Sequence, residues 1–154
     1  MAAMSPTDPR HQAREVALQC LFAMDAKDSW EEHPLDWLLI ENPISRKAIA
    51  YAEELVQGVK ENLSELDELI HKYAPAWPVS QLSLVDRNIL RIALFELLYH
   101  NQVPRKTAVN EAVELAKVFG SESSSRFVNG VVGSVITALE SGNIPVGQLV
   151  TEGR

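Results

Sequence analysis

One segment limits the architecture more than any other. Leu84 to His100, LVDRNILRIALFELLYH, is apolar around most of a helical circumference. Leu84, Val85, Ile89, Leu90, Ile92, Ala93, Leu94, Leu97 and Leu98 recur at helical and not alternating spacing. A helix that is apolar nearly all round has to be enclosed by other elements. The chain must therefore supply partners on several sides of it.

Those partners are legible as amphipathic helices. Asp8-Pro9 caps and preorganises a first helix, with Ala13, Val16, Ala17, Cys20, Leu21 and Met24 in one buried stripe. Ser29-Trp-Glu-Glu32 has capping-box spacing and opens a short second helix bearing Leu35, Leu38 and Leu39, which Pro43 ends. A third carries Ile49, Ala52, Leu55, Val56, Val59 and Leu63; a fourth, capped by Ser64 or Asp67, carries Leu66, Leu69, Ile70 and Tyr73. The connector PAWP, Pro75 to Pro78, reads as a stiff joint between two helical groups, plugged by Trp77. Ser83 and Asp86 start the central fifth helix, and Val103-Pro104 breaks it. The sixth carries Ala108, Val109, Ala112, Val113, Leu115, Ala116 and Phe119, with Gly120 as its C-cap glycine. The seventh runs from Phe127 to Glu140. The expectation is an all-α, seven-helix domain over residues 9–140, in two packed subdomains of about 9–74 and 79–140. A flexible N-terminus (1–8) precedes it, and a mobile tail (141–154) follows.

Composition narrows the class. A single cysteine, Cys20, excludes an intramolecular disulfide framework and fits a reducing compartment. No apolar run reaches the roughly 20 residues of a membrane span, and the first residues lack a signal-peptide core. The expected location is the cytoplasm, without membrane contact. The net charge of −7 by itself argues against a nucleic-acid partner. The charge is unevenly distributed, however. Residues 25–41 hold one Lys against six carboxylates, whereas 103–126 hold Arg105, Lys106, Lys117 and Arg126 against three Glu.

Catalytic motifs are missing. His11, His33, His71 and His100 fall on separate segments without ligand spacing, and no G-x-S-x-G, P-loop or G-x-G-x-x-G occurs. Cys20 lies on a core stripe, where a small buried residue is the simpler role than a nucleophile. The abundant carboxylates read as solvated helix faces. The pattern is that of a binding module, not an enzyme, with no catalytic residue, metal or cofactor.

The stretch SSSRFVNGVV, Ser123 to Val132, carries the most informative conflict. Asn-Gly between apolar residues is a hairpin signal, yet the valines here follow helical rows. On a helical wheel Val128, Val131, Val132, Val135, Ile136, Ala138 and Leu139 fill an arc of about 160°; Arg126, Asn129, Gly130, Gly133 and Thr137 lie opposite. Gly130 and Gly133 thin that face for a close approach, with packing against a neighbouring helix the simpler reading and a ligand or partner the other. The serine turn resembles a phosphate site at a helix N-terminus, Arg126 adds a cation, and Phe127 offers a ring for stacking a base.

These residues also carry a family resemblance. Asp86 to Val135 resembles the C-terminal half of the NusB family of bacterial transcription antitermination factors, in LRIALFE, VNEAVELAKVFG and FVNGV taken in order. RHQAREVALQCLFAMD, Arg10 to Asp25, resembles that family's N-terminal helix. Coverage runs from Arg10 to Leu139 and is thinnest between Lys27 and Pro43. The resemblance implies a seven-helix fold of two subdomains. It implies binding of boxA RNA in nascent ribosomal RNA transcripts, jointly with the NusE-type small-subunit ribosomal protein. It also implies assembly with NusA, NusG and RNA polymerase, and no catalysis or cofactor.

Carried over by matching positions, the RNA-side residues are Arg10, His11, Gln12, Arg14, Lys106, Ser123, Arg126, Phe127 and Asn129. His11 and Gln12 stand where the family's opening run is often basic, which lowers the expected affinity. Asp86 and Glu96 match acidic positions suited to a basic protein partner, and Gly130 and Gly133 remain packing positions.

Two other readings share the fold. One is the N-terminal domain of a ribosomal RNA cytosine methyltransferase, which would continue into a cofactor domain with catalytic cysteines. The other is a protein–protein adaptor with little RNA affinity. An apolar patch near the first helix also allows two copies to pair and mask the RNA face.

Overall fold

A computed structural model describes residues 8–31, 34–100 and 102–144. Seven α-helices and no strand occur among the described residues. The chain divides into two compact units between Glu61 and Asn62.

The first unit holds α1 (Pro9–Lys27), α2 (Leu35–Glu41) and α3 (Arg46–Glu61), with α2 and α3 both packed on α1. Asp8 Oδ1 accepts from the Arg10 N–H at 2.9 Å, and Pro9 occupies the first turn. Every residue of the expected α1 stripe is buried. The helix ends in a Schellman arrangement: the Asp28 and Ser29 N–H groups donate to Asp25 and Met24 carbonyls, at 3.1 and 2.9 Å. Asp28 takes φ 52° to close it. A left-handed non-glycine residue is strained, and its carboxylate faces the negative end of the helix dipole. Asp28→Gly is therefore expected to raise stability by about 1 kcal/mol in urea titrations.

α2 starts later than its capping-box spacing implies. Its first residue is Leu35, after Pro34, and Ser29 lies outside the helix. A helix running through Pro34 from Ser29 would lose a backbone bond and meet the proline ring. Glu32 and His33 lie outside the described residues. Ser45 Oγ opens α3 by accepting from the Ala48 N–H at 3.2 Å.

The second unit holds α4 (Leu63–Tyr73), a 3-10 turn (Val79–Gln81), α5 (Leu84–Phe95), α6 (Arg105–Phe119) and α7 (Ser124–Glu140). α5 packs against α4, α6 and α7, the enclosure that its apolar circumference demands. Ser83 caps it, its Oγ accepting from the Asp86 N–H at 3.0 Å. Beyond Phe95 the helix widens into a π turn, Glu96–His100, that buries Leu97 and Leu98. Tyr99 and His100 both stack beside Phe95, with ring centroids 6.1 and 6.3 Å away.

Several expectations are corrected here. Leu63 begins α4 instead of ending α3, and neither Ser64 nor Asp67 caps it, because Asn62 stands at its N-terminus. The connector PAWP lies inside the second unit, since α4 buries Leu66 and Ile70 while packing on α5 and α7. Trp77 plugs nothing: it is 60% exposed. Asp67 and Arg91 instead make a two-pronged pair between α4 and α5, Nε–Oδ1 and Nη2–Oδ2 both 2.8 Å. Asn88 Oδ1 accepts a further Arg91 N–H at 3.0 Å.

Gly120 ends α6, but in extended conformation (φ −94°, ψ −171°) that any residue adopts. Glycine is needed there for space, because a Cβ would lie 2.5 Å from Ser124 Cβ and Oγ. Past α7, Gly142 (φ 77°) closes a second Schellman arrangement and Ile144 is buried, so residues 141–144 are fixed and not a free tail. Residues 1–7 and 145–154 lie outside the described set.

Candidate nucleic-acid interface

The expected RNA-side residues fall into two sets, one in each unit. In the first unit Arg10, His11 and Gln12 are half-buried on the opening turns of α1. The Arg10 guanidinium lies 5.0 Å from the centroid of the Tyr51 ring on α3, and that of Arg14 5.8 Å. Both distances suit cation–π contact. His11 Nε2 is 3.7 Å from Glu15 Oε2, so a protonated His11 would already face a carboxylate.

Arg14 departs from the sequence reading. It is 3% exposed and sits in the interior, not on an RNA-facing surface. The cause is register: Arg14, Ala17, Leu21 and Met24 follow three- and four-residue steps along the buried stripe. That signal was present in the sequence. Tyr51, the ring that both arginines meet, carried none.

In the second unit Lys106 is exposed on the first turn of α6, next to exposed Arg105. Ser123, Arg126 and Asn129 are exposed at the start of α7, and Phe127 is half-buried. The serine turn is closed on itself. Ser124 Oγ accepts from the Ser121 N–H at 2.9 Å and pairs with Ser121 Oγ at 3.1 Å. Ser124 is thus committed to the loop, and Ser123, without a side-chain cap bond, is the hydroxyl presented outward.

Gly130 and Gly133 continue the Arg126–Asn129 row of α7. A Cβ at either would meet no atom within 4 Å. Their role as packing glycines is corrected accordingly: among the described residues no side chain or neighbouring helix comes within 4 Å of a Cβ at either position. The row Arg126, Asn129, Gly130, Gly133 is a thinned, polar face.

The two acidic positions differ sharply. Asp86 is half-buried, and its Oδ1 is enclosed without a hydrogen-bond partner among the described residues. Glu96 is 1% exposed, so it offers no surface carboxylate to a partner. It heads the π turn on the helix with the most enclosed circumference, which is why it is interior. Glu111 on α6 is likewise buried, against the expectation that carboxylates lie on solvated faces.

No cluster of three or more metal-ligating side chains occurs among the described residues. Burial pushes the Cys20 thiol up to about 12 from 9.0, and its Sγ lies 3.8 Å from Met24 Sδ. The thiolate is the reactive form. Folded protein at pH 8 is therefore expected to resist a thiol reagent, with modification following the rate of unfolding in urea. No helix among the described residues is long and apolar enough to cross a membrane.

Known proteins carry the same helices. A model of the NusB family matches residues 11–137. The transcription antitermination protein NusB of Dehalococcoides mccartyi (strain CBDB1) is 48% identical over 133 residues, covering 86% of this chain and 93% of that one. The solved structure of T. maritima NusB superposes with a TM-score of 0.73 at 36% identity, over 84% of this chain and 91% of that one. The crystal structure of antitermination factors NusB and NusE in complex with dsRNA gives a TM-score of 0.76 at 28% identity, over 84% and 97%. With the family match spanning α1 to α7, the chain belongs to the NusB family.

Proposed function

We propose that the chain is a transcription antitermination factor. It binds boxA-type RNA of nascent ribosomal RNA transcripts jointly with the NusE-type ribosomal protein, and joins NusA, NusG and RNA polymerase in a larger cytoplasmic assembly. The family match across residues 11–137 carries the reading. The solved NusB–NusE pair with dsRNA supports both kinds of partner.

Within the reading, Lys106 and Arg126 neutralise phosphates, while Ser123 and Asn129 donate or accept at the strand. Phe127 stacks a base from its half-buried position. Arg10 is the first unit's contact, and Arg14 acts behind it by holding Tyr51. Asp86, half-buried at the start of α5, supplies carboxylate charge towards a basic group of the protein partner. The chain works by binding and has no catalytic step.

The test is a titration of labelled boxA-type RNA and a scrambled control, with and without the NusE-type protein, at two salt concentrations. Binding is expected to be weak alone, given the net charge of −7, and tighter and sequence-selective with the partner. Lys106→Ala with Arg126→Ala should lower the slope of log affinity against log salt by about 1.4, two single-strand phosphate contacts. Gly130→Leu should leave the fold intact, since the site is open, yet weaken binding. Equal affinity for both RNAs in every condition would sink the proposal.

A further inference from the structure

α2 is unusual in what it shows outward. Ile40 is 80% exposed and Trp37 60%. Single exposed apolar residues are ordinary, but these two are neighbours on one face. From Leu35, the wheel places Asp36, Ile40, Trp37 and Glu41 in that order, at about 100°, 140°, 200° and 240°. The opposite side holds Leu35 and Leu38, which are buried, and half-buried Leu39. The outer face is thus an apolar ridge with a carboxylate on each flank. Asp28 and Glu31, also exposed, lie just before the helix. Residues 28–41 contain no Lys or Arg.

The ridge is held rigidly. Pro34 and Pro43 bracket the helix, and Asn42 Nδ2 donates to the Leu38 carbonyl at 3.1 Å. Leu35 and Leu38 anchor the inner face, so little ordering would be needed on binding.

We propose that this face of α2 docks a basic amphipathic helix of a partner protein. Trp37 and Ile40 enter the partner's apolar stripe, and Asp36 and Glu41 meet lysines or arginines on its margins. Tryptophan is a frequent anchor at the centre of such contacts, and acidic flanks select the partner by charge. A second copy of this chain fits poorly, because the same carboxylates would be brought together on both flanks. The proposal is independent of the RNA-side residues and goes beyond the RNA-binding role.

The test uses the full chain with Trp30→Phe and Trp77→Phe, leaving Trp37 as the only tryptophan. The probe is a synthetic helix of roughly 18 residues with leucines on one face and lysines on the other. Comparators are the same peptide with Glu for Lys, and a reordered peptide without an apolar stripe. The basic amphipathic peptide should shift Trp37 emission to the blue. Ile40→Ser should weaken its binding about tenfold, as should Asp36→Asn combined with Glu41→Gln. The two comparators should fail to shift the emission. Equal binding by the Ile40→Ser chain, or by either comparator, would overturn the proposal. So would a blue shift that grows with protein concentration in the absence of peptide, which would assign the face to a second copy.

Discussion

Asp67→Ala is expected to lower the unfolding free energy by about 3 kcal/mol. The pair it breaks is bidentate, and Arg91 is the more enclosed partner, its side chain 5% accessible against 30% for Asp67. Removing the carboxylate leaves a guanidinium in the interior of α5 facing α4. Asn88 retains one of its hydrogen bonds but supplies no charge. The partial exposure of Asp67 lets water replace part of what is lost, which keeps the effect at the lower end of the range for buried pairs. The melting temperature should fall by about 10 °C. Asp67→Leu combined with Arg91→Met should recover most of the loss, because a well-packed apolar pair of similar volume replaces a buried ion pair at little cost. A change below about 0.5 kcal/mol in Asp67→Ala would show the pair to be solvated and dispensable.

The same substitution at two glycines should act with opposite sign. Gly130→Ala is expected to stabilise the protein by about 0.8 kcal/mol: it sits inside α7, and the added Cβ meets nothing within 4 Å. Gly120→Ala is expected to destabilise it by about 2 kcal/mol. Its Cβ would lie 2.5 Å from Ser124 Cβ and 2.8 Å from the Ala116 carbonyl oxygen, atoms of a closed loop and a helix end with little room to move. Urea titrations of the two variants read this directly. Matching signs would mean that the Ser121–Ser124 turn relaxes around the new methyl. A Gly120→Ala chain that remains folded should also lose RNA affinity, because the turn that presents Ser123 and Arg126 has been displaced.

The helices were legible wherever burial follows a regular stripe. The α1 stripe, the enclosed circumference of α5 and the valine face of α7 all depend on local periodicity, and the structure buries them as expected. What escaped were residues whose environment is set by a distant segment. Asp67 reads as a helix cap until Arg91, 24 residues on, is placed beside it. Arg91 in turn looks like one more polar residue of a helix that also carries Asp86, Arg87 and Asn88. Glu111 looks like a surface carboxylate because nothing local distinguishes a buried Glu, whereas Glu96 lies on a segment whose enclosure the apolar circumference of α5 already implied. The thinned face of α7 was located correctly from the wheel, yet periodicity cannot tell an open face from one that a neighbour fills. The burial of Arg14 was legible, since its register with Ala17, Leu21 and Met24 places it on the interior stripe of α1.

The π turn after Phe95 bears on how this chain can change in length. In a regular α-helix Tyr99 would lie beside Phe95, and His100 would point about 140° away. Here both rings flank Phe95, because the widened turn takes up one residue more than an α-helix of that length needs. The turn therefore works as slack in the chain. A single residue lost between Phe95 and His100 can be absorbed by closing it into a regular α turn, leaving α6 to start in the same place after Pro104.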